Sequence, residues 1–154
     1  NINMDKLTLK IEYSDFLDKF LINYLEKLDG VKAVKINNAE NEVYVEYNSN
    51  IISPKVLSKE TLLYLDLIEI PSIIAFNKHS KCDAKKDNIV IKDLCCEYCL
   101  KGMIEELFEI DGIISAYSDF DYKNSSNVSI SITYDENKID KEKIKELEKQ
   151  FNSC

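Results

Sequence analysis

The chain has 154 residues, of which 45% are hydrophobic and 31% charged, and it carries a net charge of −8 at pH 7. This balance is typical of a folded globular protein, and the acid excess disfavours nonspecific binding to nucleic acid or to anionic lipid. The sequence has no uninterrupted apolar run of the roughly 18 residues that a membrane span needs. Its five cysteines are clustered rather than spread, which argues against a secreted disulfide framework and favours the reducing cytosol.

The first half of the chain predicts strands and helices in alternation. Residues 6–13 alternate between apolar and polar side chains, as a strand does. A helix face is then predicted from apolar residues three and four positions apart, namely Leu17, Phe20, Leu21, Tyr24, Leu25 and Leu28. Gly30 follows this run, and we expect it to end the helix as a left-handed cap.

Further elements complete the first half. Ser53 and Pro54 predict a helix start, with serine as the N-cap and proline in the first turn, and the helix should run to about Leu67. Three more strands are predicted at 31–37, 41–48 and 70–76. Residues 78–87 are polar and nonperiodic, so we interpret them as a linker between a domain at 1–77 and a second at 88–154.

The second half repeats the same order of elements. A strand is predicted at 88–94, followed by a helix that ends before Gly112. Its inward face should carry Leu100, Met103, Ile104, Leu107 and Phe108. Two strands, 113–122 and 127–135, and a helix from near Asp140 with Ile144, Leu147 and Phe151 inward complete the pattern.

An internal repeat supports the two-domain interpretation. Residues 25–34 resemble residues 107–116 at an offset of 82, and 43–48 align with 130–135 at an offset of 87. The order is β-α-β-β-α-β in the first copy. The predicted class is therefore α+β, with two tandem ferredoxin-like units whose antiparallel sheets carry both helices on one face. The second unit lacks the last strand, which should leave its first strand at the sheet edge.

Three cysteines occupy the junction between the first strand and the first helix of the second unit. Cys95 and Cys96 precede the helix, and Cys99 lies in its first turn, so Cys96 and Cys99 form a C-x-x-C. The free N–H groups and the dipole of a helix N-terminus stabilise thiolates. Thiolates are soft ligands that suit Cu(I), Zn(II) or Cd(II).

The stretch "DLCCEYCLKGMIEELFEIDGI", residues 93–113, resembles the heavy-metal-associated domain family. That family carries Gly-Met-x-Cys-x-x-Cys, a helix and then Leu-Pro-Gly-Val. In register, Leu94 takes the place of the methionine, Cys96 and Cys99 take the metal-binding cysteines, and 110–113 takes the last motif. The resemblance implies that the chain carries a metal ion to or from another C-x-x-C domain or a transport ATPase. It also implies a metal-binding region of a P-type ATPase or a metallochaperone, rather than an enzyme.

Departures from the family pattern leave the ligand set open. Asp93 replaces the glycine, and Cys95 replaces a residue that is usually small and polar. Cys95 as a third ligand would favour Zn(II) or Cd(II), whereas a two-thiolate site suits Cu(I) and leaves Cys95 as a loop filler. In the first copy, Ser14 and Leu17 occupy the positions of the two cysteines, so we expect no metal binding there by this mode.

Two other functions are compatible with these residues. A metal-independent interaction module and a dithiol redox protein both remain open. A thioredoxin-like fold is excluded. In that fold the proline-containing strand follows the C-x-x-C, whereas Pro71 precedes Cys96 here. His79 and Cys82 form an H-x-x-C that could add ligands if the linker folds back, although a solvated linker is the stronger expectation. No phosphate loop or glycine-rich dinucleotide turn is present.

Overall fold

The computed structural model describes residues 4–12, 17–66, 70–80, 82–119 and 127–153. The chain divides into two compact units, Asn1–His79 and Ser80–Cys154. Each unit combines helices with an antiparallel sheet, which confirms the predicted α+β class. Within the described ranges, no helix is long and apolar enough to cross a membrane.

The first unit contains a complete set of the predicted elements. These are β1 (Met4–Glu12), α1 (Lys19–Glu26), β2 (Val31–Asn37), β3 (Glu42–Asn48), α2 (Pro54–Leu65) and β4 (Ser72–Asn77). The strands lie in the order β2-β3-β1-β4, and β1 pairs antiparallel with both of its neighbours. Alternate residues of β1 and β3 are buried, including Leu7, Leu9, Val43 and Val45. The core therefore lies on one face of the sheet.

The start of α1 differs from the predicted helix. The Asp18 carboxylate accepts hydrogen bonds from the backbone N–H groups of Phe20 and Leu21, at 2.9 and 3.3 Å, and so caps a helix that begins at Lys19. Leu21 and Leu25 are buried, but the Phe20 side chain is 59% exposed. The assignment of Phe20 to the inward face was wrong, because it lies one position, about 100°, away from the Leu21–Leu25 stripe.

Gly30 does not cap α1, which corrects the second expectation for this region. The helix ends at Glu26, and its C-cap residue, Lys27, has right-handed backbone angles. Gly30 adopts a φ of +95° in the turn that leads into β2. A Cβ atom at Gly30 would lie 2.9 Å from side-chain atoms of Ile51 and Ile52. The glycine is therefore needed by the turn and by the close approach of the segment before α2.

The described residues of the second unit form three strands and two helices. These are β5 (Lys85–Ile91), α3 (Glu97–Glu109), β6 (Ile113–Ser118), β7 (Val128–Tyr134) and α4 (Lys141–Asn152). The predicted inward residues are all buried, namely Leu100, Met103, Ile104, Leu107 and Phe108 of α3 and Ile144, Leu147 and Phe151 of α4. β5 starts at Lys85, three residues before the predicted domain start, because its polar first residues pair with β7 opposite Tyr134.

Equivalent turns in the two units follow the offsets found in the sequence. The Asn48 N–H donates to the Gly30 carbonyl at 2.7 Å, and the Asp135 N–H donates to the Gly112 carbonyl at 2.9 Å. Gly30 and Gly112 are 82 positions apart, whereas Asn48 and Asp135 are 87 apart. The same backbone contact thus recurs in both units, as an internal repeat requires.

Side chains of α4 form hydrogen bonds with the backbone along the outer edge of β5. In the second unit the strands lie in the order β6-β7-β5, so β5 is at an end, as the sequence predicts. The Val90 N–H donates to the Glu148 carboxylate at 2.8 Å, and the Lys92 N–H donates to the Asn152 side-chain oxygen at 2.8 Å. The Asn152 side-chain NH₂ donates to the Val90 carbonyl at 2.8 Å. These bonds occupy backbone groups that an edge strand otherwise offers to another strand.

We expect Asn152→Ala to lower the free energy of unfolding by about 1–2 kcal/mol, because its side-chain bonds to the backbone of Val90 and Lys92 are lost. Hydrogen exchange at the Lys92 amide should become faster. Glu146→Ala, an exposed substitution on the same helix, serves as the control and should change neither quantity appreciably. Unchanged exchange at Lys92 in the Asn152 variant would show that the bond does not protect this strand.

Candidate metal centre

The structure brings the three predicted cysteines together at the start of α3. Cys96 is the N-cap residue of this helix, with extended backbone angles, and Cys99 lies in the first turn. Cys95 and Cys96 are exposed, and Cys99 is half-buried. The three sulfur atoms all lie within 4.8 Å of one another, and the Cys96 and Cys99 sulfurs are 3.7 Å apart. This cluster can hold a metal ion.

The loop before the cysteines is shaped by Asp93. Its φ is +56°, a left-handed conformation that aspartate tolerates better than most residues other than glycine. The Asp93 N–H donates to the Asn127 side-chain oxygen at 3.2 Å. Leu94 is half-buried, so it anchors the loop only in part.

The helix terminus makes Cys96 the more acidic of the two C-x-x-C thiols. The backbone N–H of Cys99 and then the Cys99 thiol lower the pKa of Cys96 below its ordinary value, since both favour the thiolate. The pKa of Cys99 is raised, first because its S–H donates to Cys96 and then because of burial. The arrangement therefore favours a Cys96 thiolate beside a Cys99 thiol.

This difference predicts the order of alkylation in the reduced, metal-free chain. Below the ordinary thiol pKa, the lowered pKa gives Cys96 a larger thiolate fraction than Cys99, and the thiolate is the reactive form. Iodoacetamide should therefore label Cys96 before Cys99, with the advantage shrinking as the pH rises above both pKa values. Mass spectrometry of the peptides measures the order, and the urea-unfolded chain is the control in which the difference should vanish. Faster labelling of Cys99 would contradict the assignment.

The sulfur separations suit an ion that takes three or four ligands. Zn–S bonds of about 2.3 Å in a tetrahedral site place two sulfurs about 3.8 Å apart, whereas a linear two-thiolate site needs roughly 4.6 Å. The Cys96–Cys99 separation of 3.7 Å matches the first value. The third sulfur, from Cys95, lies within reach of the same point. A tetrahedral or trigonal site thus requires less movement of this pair than a linear one.

The remaining sequence candidates lie outside this cluster. The His79 Nε2 atom contacts the Thr8 hydroxyl at 2.5 Å, so the linker histidine folds back on the first unit instead of remaining solvated. The Cys82 sulfur accepts a hydrogen bond from the Ser80 hydroxyl at 3.1 Å. Across the described residues, the only group of three or more metal-capable side chains is the cysteine trio. Leu17 is buried, and Ser14 lies outside the described residues.

Comparison with known proteins gives similar structures but no sequence match. No family model matches the chain, and no curated protein does. The N-terminal soluble domains of Bacillus subtilis CopA align at 12% identity and a TM-score of 0.41 over 97% of this chain and 90% of that one. A second structure, the water-soluble region of the P-type ATPase CopA from the same organism, gives 12% identity and a TM-score of 0.43 over 95% and 85%.

A third similar structure is the N-terminal extension of Cupriavidus metallidurans CzcP. It aligns at 17% identity and a TM-score of 0.34 over 96% of each chain. All three alignments fall below 25% identity and below a TM-score of 0.5. The functional conclusion therefore rests on the cysteine cluster itself.

Proposed function

We propose that this chain binds one soft heavy-metal ion through Cys95, Cys96 and Cys99 and passes it to another thiol-bearing protein. The observation that carries this proposal is the convergence of three sulfurs within 4.8 Å of one another. Soft thiolates select soft or borderline ions, and a helix N-terminus favours their ionised form. Binding releases the proton of each thiol that ionises, so the affinity should fall as the pH is lowered.

Exposure of the site supports transfer rather than permanent storage. Cys95 and Cys96 are exposed, while Cys99 is half-buried. An incoming thiolate can therefore bond to the ion from the open side while Cys95 or Cys96 leaves it. In this scheme Cys99 is the last ligand to be exchanged, and the ion is never released into water.

The third sulfur favours Zn(II) or Cd(II) over Cu(I) as the cargo. These two ions prefer four ligands, and the 3.7 Å separation of Cys96 and Cys99 fits a tetrahedral edge. Cu(I) would use Cys96 and Cys99 as a two-thiolate pair and leave Cys95 unused. The partner that we propose is a second C-x-x-C domain, on a metal-transporting P-type ATPase or on a metallochaperone.

A transfer experiment tests the proposed function. The reduced chain is loaded anaerobically with Cd(II) and mixed with an acceptor domain that carries a C-x-x-C. We expect the transfer rate to rise with acceptor concentration, because the acceptor attacks the bound ion. An acceptor in which both cysteines are replaced by serine is the control and should gain no ion. A rate independent of acceptor concentration would mean that the ion first dissociates, which would overturn direct exchange.

A further inference from the structure

The cysteine cluster offers three sulfur ligands and no oxygen or nitrogen ligand. Cys95, Cys96 and Cys99 form the group, and their sulfurs all lie within 4.8 Å of one another. Asp93 and Glu97 flank these cysteines in the sequence, but no carboxylate or imidazole of a described residue belongs to the group. A tetrahedral ion such as Zn(II) would need a fourth ligand from water or from a partner. An element that forms only three bonds would be completely bound by this chain alone.

Backbone hydrogen bonds hold the three cysteines in position. The Cys99 N–H donates to the Cys96 carbonyl at 3.2 Å, and the sulfur atoms of this pair are 3.7 Å apart. Cys95 lies in the loop between β5 and α3. The Asp93 N–H donates to the Asn127 side-chain oxygen at 3.2 Å, which anchors that loop. A ligand that bonds to all three sulfurs therefore finds them already close together.

Trivalent arsenic matches this set of ligands. As(III) is a soft centre that forms three bonds to sulfur in a trigonal pyramid, and its lone pair occupies the fourth position. These bonds are nearly as long as the Zn–S bond of about 2.3 Å, but the lone pair presses them together. The sulfurs of an arsenic site therefore lie slightly closer together than those of a tetrahedral zinc site. The Cys96–Cys99 separation of 3.7 Å needs only a small closing movement to meet this requirement.

We propose that Cys95, Cys96 and Cys99 together bind trivalent arsenic, which arrives as arsenous acid. The proposal rests on the proposed function, because it uses the same three sulfurs as ligands. Each thiol forms one As–S bond while one As–O bond breaks, and the hydroxyl leaves as water with the proton of the thiol. Three waters are released, arsenic stays trivalent, and no oxidant or reductant takes part. Cys95 and Cys96 are exposed and Cys99 is half-buried, so the small neutral acid can reach the cluster.

Native mass spectrometry of the whole reduced chain mixed with arsenite counts the As–S bonds directly. A chain that holds arsenic through three sulfurs gains one arsenic atom and loses three hydrogens. A chain that uses only two sulfurs loses two hydrogens and keeps a hydroxyl group on the arsenic. We expect the first product, with one arsenic per chain. The second product, or the absence of any adduct, would overturn the proposal.

A second arsenic reagent distinguishes a three-sulfur site from a two-sulfur site. Phenylarsine oxide already carries one carbon on arsenic, so its arsenic can bond to two thiols only. Cys95→Ser should weaken arsenite binding by about tenfold or more, yet leave phenylarsine oxide binding unchanged, because Cys96 and Cys99 remain. Cys82→Ser, outside the cluster, is the matched control and should bind both reagents as the original chain does. Equal arsenite affinity in the Cys95 and Cys82 variants would overturn the role of the third sulfur.

A parallel titration with Cd(II) separates this proposal from the proposed metal transfer. We expect arsenite that is added first to prevent Cd(II) binding, since both ligands need the same sulfurs. Simultaneous binding of arsenite and Cd(II) would overturn the shared site. A chain that binds Cd(II) but no arsenite keeps the proposed function and overturns the arsenic proposal. A chain that binds arsenite but no Cd(II) supports the arsenic proposal and overturns the transfer of a divalent ion.

Discussion

Replacing Cys96 by serine is expected to lower the affinity for Cd(II) by more than 100-fold. Loss of a residue that only supports a ligand typically costs about 10–100-fold, and removal of a thiolate ligand should exceed that range. The pKa of Cys96 is lowered and that of Cys99 is raised, so Cys96 forms a thiolate more readily than Cys99 does. Competition with a chromophoric chelator under anaerobic conditions measures the affinity. Cys99→Ser should have an effect of the same order.

Two other cysteine variants make this prediction specific. Cys82→Ser is the matched control, because the Cys82 sulfur interacts with Ser80 and lies outside the cluster. It should bind Cd(II) as the original chain does. Cys95→Ser should also weaken Cd(II) binding, because the proposed site uses its sulfur as the third ligand, and unchanged binding would show that Cys95 only fills the loop. A Cys96 variant that binds as tightly as the Cys82 variant would contradict the proposed ligand set.

Gly112→Ala is expected to lower the free energy of unfolding by about 3 kcal/mol, near the upper end of the usual cost of overpacking. A Cβ atom at this position would collide with the Cγ2 atom of Ile139. It would also lie 3.0 Å from the Ile139 Cβ and 3.2 Å from the Lys138 Cβ. Relief requires movement of the segment that leads into α4, and the bond from the Asp135 N–H to the Gly112 carbonyl resists it. Urea unfolding followed by circular dichroism measures the loss.

Gly102→Ala provides the matched control in the same unit. Gly102 lies within α3, and a Cβ atom there would meet nothing within 4 Å. Alanine in a helix interior is more favourable than glycine by about 0.5–1 kcal/mol, so this variant should be more stable than the original chain. A Gly112 variant within about 0.5 kcal/mol of the original chain would contradict the close-packing explanation.

Periodicity predicted the order of elements because it reflects which side chains must be buried. The inward residues of α3 and α4 were predicted correctly, and Ser53 caps α2 through the Val56 N–H as expected. Phe20 was misplaced because apolar spacing alone does not show that the buried stripe of this short helix is as narrow as Leu21 and Leu25. Gly30 was recognised as structurally special, but the sequence does not show that it serves a turn packed against Ile51 and Ile52.

The sequence predicted the part of the candidate site that neighbouring residues form. The C-x-x-C spacing at a strand-to-helix junction brings Cys96 and Cys99 together without help from distant residues. The supports of the loop were not predicted, because they join residues far apart in the chain. Asn152 bonds to Lys92 across 60 positions, and Asn127 bonds to Asp93 across 34. The left-handed conformation of Asp93 was not predicted, although aspartate adopts it more readily than most residues other than glycine.

An anaerobic titration of the reduced chain with Cd(II) tests the central claim most directly. Ultraviolet absorption from thiolate-to-metal charge transfer reports sulfur ligation, and a parallel chain with Cys95, Cys96 and Cys99 replaced by serine sets the background. We expect the absorption to rise until one ion per chain has been added and then to level off, and the serine variant should lack this absorption. If the original chain binds Cd(II) no more tightly than the serine variant does, these three cysteines are not the metal ligands.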